Sequence, residues 1–363
     1  CRRRPDALRA AACGRRSARA PNPGRALPRS SPATVLLTPA RHGLRCEPGR
    51  FAVDPLEPVA TAVVTHAHAD HARPGHGTVH CSAEGLEVTR LRVGPETDVV
   101  PHAWGERFRL GDATVSLHPA GHIRGSAQVR VERGGEVWVV SGDYKREVDP
   151  TCTPFEAVPC DVFVTEATFA LPIYRWRPTG EVIAEIFAWW QENAANDRTS
   201  LLFCYALGKA QRVLAGLTAH TDAPVFVHGA VEPLTAAYRA AGVRMLDTLR
   251  VTDRADGHVG QLVVAPPSAS RSPWLRRFRR AETAFASGWM RVRGVRRGRG
   301  WDRGFVLSDH ADWPGLVETV EATGAGRVFV HHGRAEALVR YLCARGVDAR
   351  ALGSTRARGG AED

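Results

Sequence analysis

The run Val63-Val64-Thr65-His66-Ala67-His68-Ala69-Asp70-His71 places three imidazoles and one carboxylate within six residues, directly after an apolar stretch. Imidazole nitrogen and carboxylate oxygen are the common protein donors to zinc and similar divalent cations. Histidines two apart share one side of an extended chain, and Asp70 and His71 follow where a turn can swing them onto a neighbouring position. One ion seldom draws all its ligands from a single turn, so four donors this close suit two adjacent ions. With 15 His in 363 residues, the crowding is not an accident of composition.

Further donors recur behind other apolar runs. His122 stands in "HPAGHIRGS", a turn whose glycines let backbone approach a ligand. Asp143 follows "VWVVSG", and His331 and His332 close "RVFVHHG". Each position alone is an ordinary place for a surface or capping residue. In series, each behind a strand, they can complete a cage for two cations.

The elements that must position these groups follow from the hydrophobic pattern. From residue 34 to about 165 the chain reads as short β-type runs such as "TAVVT", "TVHCS", "ATVSLH", "EVWVVSG" and "DVFVTE". A helical period begins at "TGEVIAEIFAWWQENAAN", with Thr179 as its expected N-cap. Strands and helices then alternate to the end, which predicts an α/β fold with a parallel sheet.

Composition excludes several classes. Apolar residues make up 44% and charged residues 24%, and no apolar run approaches the roughly 18–20 residues of a membrane helix. The eight cysteines form no C-x-x-C pair, which argues against a zinc ribbon or a disulfide scaffold and for a reducing, cytoplasmic compartment. The net charge of +11 is uneven. Residues 1–33 carry nine Arg against Asp6, and 271–303 carry eleven Arg against Glu282 and Asp302, so the remainder is mildly acidic. Such concentrated basic charge fits a polyanion partner, although a chain whose only lysines are Lys145 and Lys209 also has an Arg bias throughout. Residues 1–33 are expected to be a disordered basic tail.

H-x-H-x-D-H after a strand, then a G-H turn, then a strand ending in G-D, resembles the metallo-β-lactamase fold of metal-dependent hydrolases. The resemblance implies an αββα sandwich in which His66, His68 and His122 hold one metal. Asp70, His71 and a late His hold the other, Asp143 bridges the two, and Asp54 of "FAVDP" orients the cluster. Of the late pair His332 is favoured, because the related motif is a His followed by Gly and Gly333 follows it; His331 remains open.

Glu166 in "FVTEATF", His310 in "VLSDHADW", and an α/β insert containing "YALGKAQ" and "FASGWM" resemble the β-CASP branch of that fold, whose members cleave phosphodiester bonds in nucleic acids. "PAGHIRGSAQVRV", "SGDYKRE" and "LSDHADWPGL" are similar to its ligase-associated DNA exonuclease subgroup, over residues 34–350. The implied organisation is a metallo-β-lactamase domain in two parts, 34–176 and 291–354, an inserted β-CASP α/β domain at 177–290, and a loose tail at 355–363. The implied activity is a two-metal DNA exonuclease in repair, using zinc or manganese, with functional association to a DNA ligase and a helicase. Asp143, Glu166 and His310 are its expected catalytic residues, with His310 the proton donor to the leaving oxygen. Arg291, Arg293, Arg296, Arg297 and Arg299 are expected to grip the phosphate backbone. No residue reads the 2′-hydroxyl, so RNA stays open as substrate. A small-molecule hydrolase of the same fold and a metal-free binding module are the other readings.

Overall fold

The β-type runs at the start of the chain pair into two sheets that face one another. The computed structural model describes residues 35–40, 43–251, 257–292, 300–331 and 333–352. The chain divides at Val35, and every described element lies in the unit that begins at Leu36. In the first sheet β1 (Thr38–Pro39), β2 (Leu44–Cys46), β3 (Phe51–Val53), β4 (Thr61–Val63), β5 (Thr78–Ser82) and β6 (Asp98–His102) lie in sequence order. Pairing is parallel from β3 onward. Helix α1 (Leu86–Val93) covers its outer face, where Val64, Val79, Cys81 and Val93 share one cluster.

The second sheet starts as an antiparallel meander of β7 (Phe108–Leu110), β8 (Ala113–Pro119), β9 (Ala127–Arg133) and β10 (Glu136–Val140). It then turns parallel at β11 (Val162–Glu166), a strand buried at every position. Covering on both faces explains why "VFVT" lacks polar alternation.

The chain next leaves for a third layer. Helix α2 (Thr179–Ala195) buries Val182, Ile183, Ile186, Trp189 and Trp190, a stripe at helical spacing. Thr179 is not the cap expected from sequence: it is the first helical residue. The Glu147 carboxylate accepts from its backbone N at 2.7 Å and its Oγ1 at 2.6 Å, and so caps the helix from another segment. After α2 come β12 (Thr199–Phe203), α3 (Lys209–Leu217), β13 (Val225–Val227), α4 (Glu232–Ala240), β14 (Thr248–Arg250), β15 (Leu262–Ala265), β16 (Ala281–Ala286) and β17 (Arg303–Phe305). Their six strands form a parallel sheet in the order β14-β13-β15-β12-β16-β17.

Finally α5 (Trp313–Thr323), β18 (Arg327–His331), α6 (Ala335–Ala344) and β19 (Asp348–Ala351) return to the second sheet, with β18 beside β11. Val53, Val63, Val115, Val129, Trp138 and Val164 fill the space between the first two sheets. Val139, Phe163, Leu316, Val320 and Leu338 pack α5 and α6 on the outer face. The layers are therefore helix, sheet, sheet, helix: the αββα sandwich of the metallo-β-lactamase fold. No described helix is long and apolar enough to cross a membrane.

Candidate metal centre

Asp54, one residue past β3, adopts φ +47°. Its Oδ1 accepts from the Thr65 backbone N and its Oδ2 from Thr65 Oγ1, both at 2.7 Å. The same Oδ2 lies 2.8 Å from His71 Nδ1. Backbone bonds from His71 N and Ala72 N to His68 O fold 66–72 into a single turn and carry His71 back toward the strand ends. Thus one carboxylate fixes both ends of the H-x-H-x-D-H turn.

His122 enters from the loop joining β8 to β9, where Ser126 Oγ accepts from His122 N at 3.0 Å and Ile123 N at 3.2 Å. Asp143 comes from the chain just past β10, behind Gly142 at φ +56°. A Cβ on Gly142 would lie 2.7 Å from Thr65 Cβ, so only glycine lets the Asp143 loop close against the histidine turn. His66, His68, His122 and Asp143 are all buried and offer ligand atoms within 4.8 Å of one another.

Hydrogen bonding decides which nitrogens face inward. His122 Nδ1 lies 2.8 Å from the Asp309 carbonyl, and His68 Nε2 lies 3.2 Å from the Leu207 carbonyl. A carbonyl only accepts, so those nitrogens carry the protons. Thr65 Oγ1 spends its proton on Asp54, so at 3.1 Å it accepts from His66 Nδ1. The other nitrogen of each ring bears a lone pair, and these converge: His68 Nδ1 is 3.0 Å from His66 Nε2 and 3.1 Å from His122 Nε2. Three acceptors at such distances, with no donor among them, repel unless a cation lies between them. The donor set therefore fits a divalent metal such as zinc, with each ring oriented by a bond behind it.

Electrostatics agree. Burial, reinforced by His71, His68 and His122, holds the His66 pKa well below its ordinary value. Burial with His310 and His68 does the same to His122. Both rings are neutral at pH 7, as ligands must be. Burial would raise Asp143, but His71 and His310 hold it well below the usual carboxylate range.

On the other side of Asp143, its Oδ2 is 3.4 Å from His71 Nε2, and Asp70 Oδ2 is 3.8 Å from that nitrogen. Asp70 Oδ1 is buried with no hydrogen-bond partner among the described residues, as a metal-directed oxygen would be. A cavity of about 430 Å³ opens here, lined by Asp70, His71, Gly142, Glu166 and His331. His331 ends β18 in register with Glu166 on β11. His332, favoured from sequence, lies outside the described residues.

Glu166 and His310 do come together. His310 Nδ1 is 3.0 Å and 3.1 Å from the two Glu166 oxygens and 4.0 Å from Asp143 Oδ2. Tyr144 N donates to Glu166 Oε1 at 2.9 Å, and Trp176 Nε1 donates to the His310 carbonyl at 2.9 Å. The His310 ring lies 4.7 Å from that of His122, so the pair adjoins the three-histidine group. Arg291 is exposed, and its Nε donates to the Ile173 carbonyl at 3.2 Å. Arg293, Arg296, Arg297 and Arg299 lie outside the described residues. Sequence reading missed Thr65, Tyr144, Asp309, Lys209 and Arg212, all buried around these ligands. The one available signal was Lys209, a rare lysine in an arginine-rich chain.

Residues 28–192 match the family described as the beta-lactamase superfamily domain, a span that includes His66 to Glu166 but not His310 or His331. A probable DNA ligase of Opitutus terrae is 34% identical over 86% of this chain and 30% of its own length. A ribonuclease of Thermus thermophilus is 27% identical over 47% of the chain and 45% of its own length. An RNase J-like protein of Methanocaldococcus jannaschii is 25% identical, covering 50% of each. The chain thus spans less than a third of the first relative and about half of the other two. A protein of unknown function from Enterococcus faecalis superposes with a TM-score of 0.52 at 10% identity over 74% of each chain, a likeness of fold alone. The match over residues 28–192 and the αββα sandwich agree on the metallo-β-lactamase fold.

Proposed function

We propose that this protein is a metal-dependent nuclease of the β-CASP branch that hydrolyses phosphodiester bonds, with DNA as its substrate and exonucleolytic repair as its role. The third layer, beginning near residue 177, is its inserted domain. The observation that carries the reading is the junction of the three inward lone pairs of His66, His68 and His122 with the Glu166–His310 pair at Asp143. A simple ester or amide hydrolase needs the first group but not the second.

His66, His68, His122, Asp143, Asp70, His71 and a late His would hold two divalent cations, zinc or manganese, which when bound would supply an activated water and neutralise charge on the phosphate oxygens. The chain's own groups do the rest. Asp143 reaches both clusters, and Asp54 fixes Thr65 and His71 so that the histidine turn does not move. Glu166 accepts a hydrogen bond from His310 Nδ1–H, orients the ring and stabilises its protonated form. His310 then delivers a proton from Nε2 to the leaving oxygen. Arg291, with Arg293, Arg296, Arg297 and Arg299, binds phosphates away from the reacting centre.

The DNA ligase-named relative, alone in covering most of this chain among the three, supports DNA and functional association with a ligase; the association with a helicase rests on resemblance. The two relatives named for ribonuclease activity support RNA as the second reading. Free thiols at the six described cysteines accord with the cytoplasm. The test is hydrolysis of end-labelled single- and double-stranded DNA and RNA with zinc or manganese. Metal-dependent release of label from DNA is expected. Hydrolysis of nitrocefin or a thioester with both nucleic acids intact overturns the proposal.

A further inference from the structure

The chain holds 49 Lys and Arg, of which only Lys145 and Lys209 are lysine, and both are 2% exposed. Lys209 opens α3, in the third layer, and its Nζ lies 2.9 Å from Asp309 Oδ2. One helical turn on, Arg212 Nη1 lies 2.8 Å from Asp309 Oδ1. Both cations thus grip one carboxylate, at separate oxygens. Arg212 also pairs with Asp149 through Nε, donates to the Ser308 carbonyl at 2.7 Å and to the His122 carbonyl at 3.3 Å. Lys209, Arg212, Asp309 and Asp149 are each at most 4% exposed, a balanced quartet of two positive and two negative groups.

Burying four charges is costly, and such networks are weak contributors to stability. Their location gives them a different use. The backbone carbonyl of Asp309 is the acceptor that fixes the His122 ring through Nδ1, and the next residue is His310. The α3 entrance also supplies the Leu207 carbonyl that fixes His68. Between them, Gly208 sits at φ +87°, where a Cβ would come within 2.2 Å of Ile123 Cγ2, so the third layer abuts the His122 turn at backbone contact. Two of the three inward-facing histidines are therefore aimed from the α3 entrance or a residue clamped by it.

We propose that Lys209 and Arg212 are positioning residues of the metal centre: by holding the Asp309 carboxylate they fix the carbonyl that aims His122 Nε2 inward. The proposal rests on the metal-centre reading, and zinc binding by the unaltered protein tests that reading separately. Residues behind metal-bound histidines commonly change metal affinity by about 10- to 100-fold, and the same range is expected here.

The experiment measures zinc affinity by chelator competition, the visible absorption of the cobalt-substituted protein and the melting temperature, on the full chain. Lys209→Met is expected to weaken zinc binding by about 10- to 100-fold and to shift the cobalt bands. A folded Lys209→Met protein with unchanged affinity and bands overturns the proposal. The double variant Lys209→Met with Asp309→Asn restores charge balance among the buried groups and decides the matter should the single variant fail to fold. Under the proposal its melting temperature recovers while zinc affinity and the cobalt spectrum stay altered. Recovery of all three shows that the network only stabilises the fold, and the proposal fails.

Discussion

His310 and the metal ligands adjoin one another, yet their roles separate by chemistry. His310 Nδ1 is engaged by Glu166, whereas His66, His68 and His122 direct bare nitrogens at a common point. Replacing His310 with Ala is therefore expected to leave metal content near normal and to lower turnover by about 10²- to 10⁴-fold, the usual contribution of a general acid. Elemental analysis beside single-turnover rates checks this; loss of metal would make His310 a ligand. Asp54 offers the complementary case. It touches no inward lone pair, but accepts from Thr65 and His71. Asp54→Asn retains one acceptor and loses the charge, so metal affinity is expected to fall by about tenfold or more with the fold intact, measured by chelator competition and circular dichroism.

At the scale of elements, the sandwich places donors at strand ends and then needs close approaches to bring them together. Gly208 shows this best, since its φ of +87° and its contact with Ile123 leave no room for a side chain. Gly208→Ala is expected to cost about 1–3 kcal/mol in denaturant unfolding through strain and overpacking, and to weaken metal binding as the loop withdraws. A second element-scale feature is titratable. His80 on β5 and His102 on β6 lie 2.9 Å apart through Nδ1 and Nε2, with Phe108 stacked on them, Asp98 near His80 and Glu106 beside His102. Burial first, then His102, lowers the His80 pKa from 6.5 to about 4. The fold thus favours neutral His80. Its contribution is complete above pH 6.5 and is lost as the pH falls toward 4, because the unfolded chain takes up the proton first. His80→Asn is expected to flatten the dependence of melting temperature on pH across that window.

For the whole molecule, charge and metal dominate. Arg271, Arg276, Arg279 and Arg280 are exposed between β15 and β16, while Trp274 and Phe278 of the same segment pack inward. Four phosphate contacts from such a segment predict a loss of nucleic-acid affinity of about a hundredfold between about 50 and 200 mM salt. Arg276→Ala should reduce the slope of log affinity against log salt by about 1, measured by anisotropy with a labelled oligonucleotide. A metal held by residues from four separate segments would also be coupled to folding. Saturation at about 100 times the dissociation constant adds about 2.7 kcal/mol, so a chelator should lower the melting temperature and zinc should restore it. A melting temperature unmoved by chelation would show that the donors hold no ion.

The ligand types, their order and the strands behind them were legible in the sequence, because period-2 burial and donors at strand ends are local properties. "TVHCS" is β5 residue for residue, and β18 covers the first five residues of the "RVFVHHG" run. Trp301 packs against Phe203 and Phe285 of the third sheet, partners 98 and 16 positions away that no local pattern names. Glu147 capping α2, Asp54 taking three donors, and Lys209 and Arg212 gripping Asp309 join residues 11 to 100 positions apart. Chemistry of donors is written in residue types, so the chain alone declared it. Which nitrogen of His68 and of His122 keeps its proton depends on a carbonyl supplied by another segment, and only the folded chain brings that acceptor within reach.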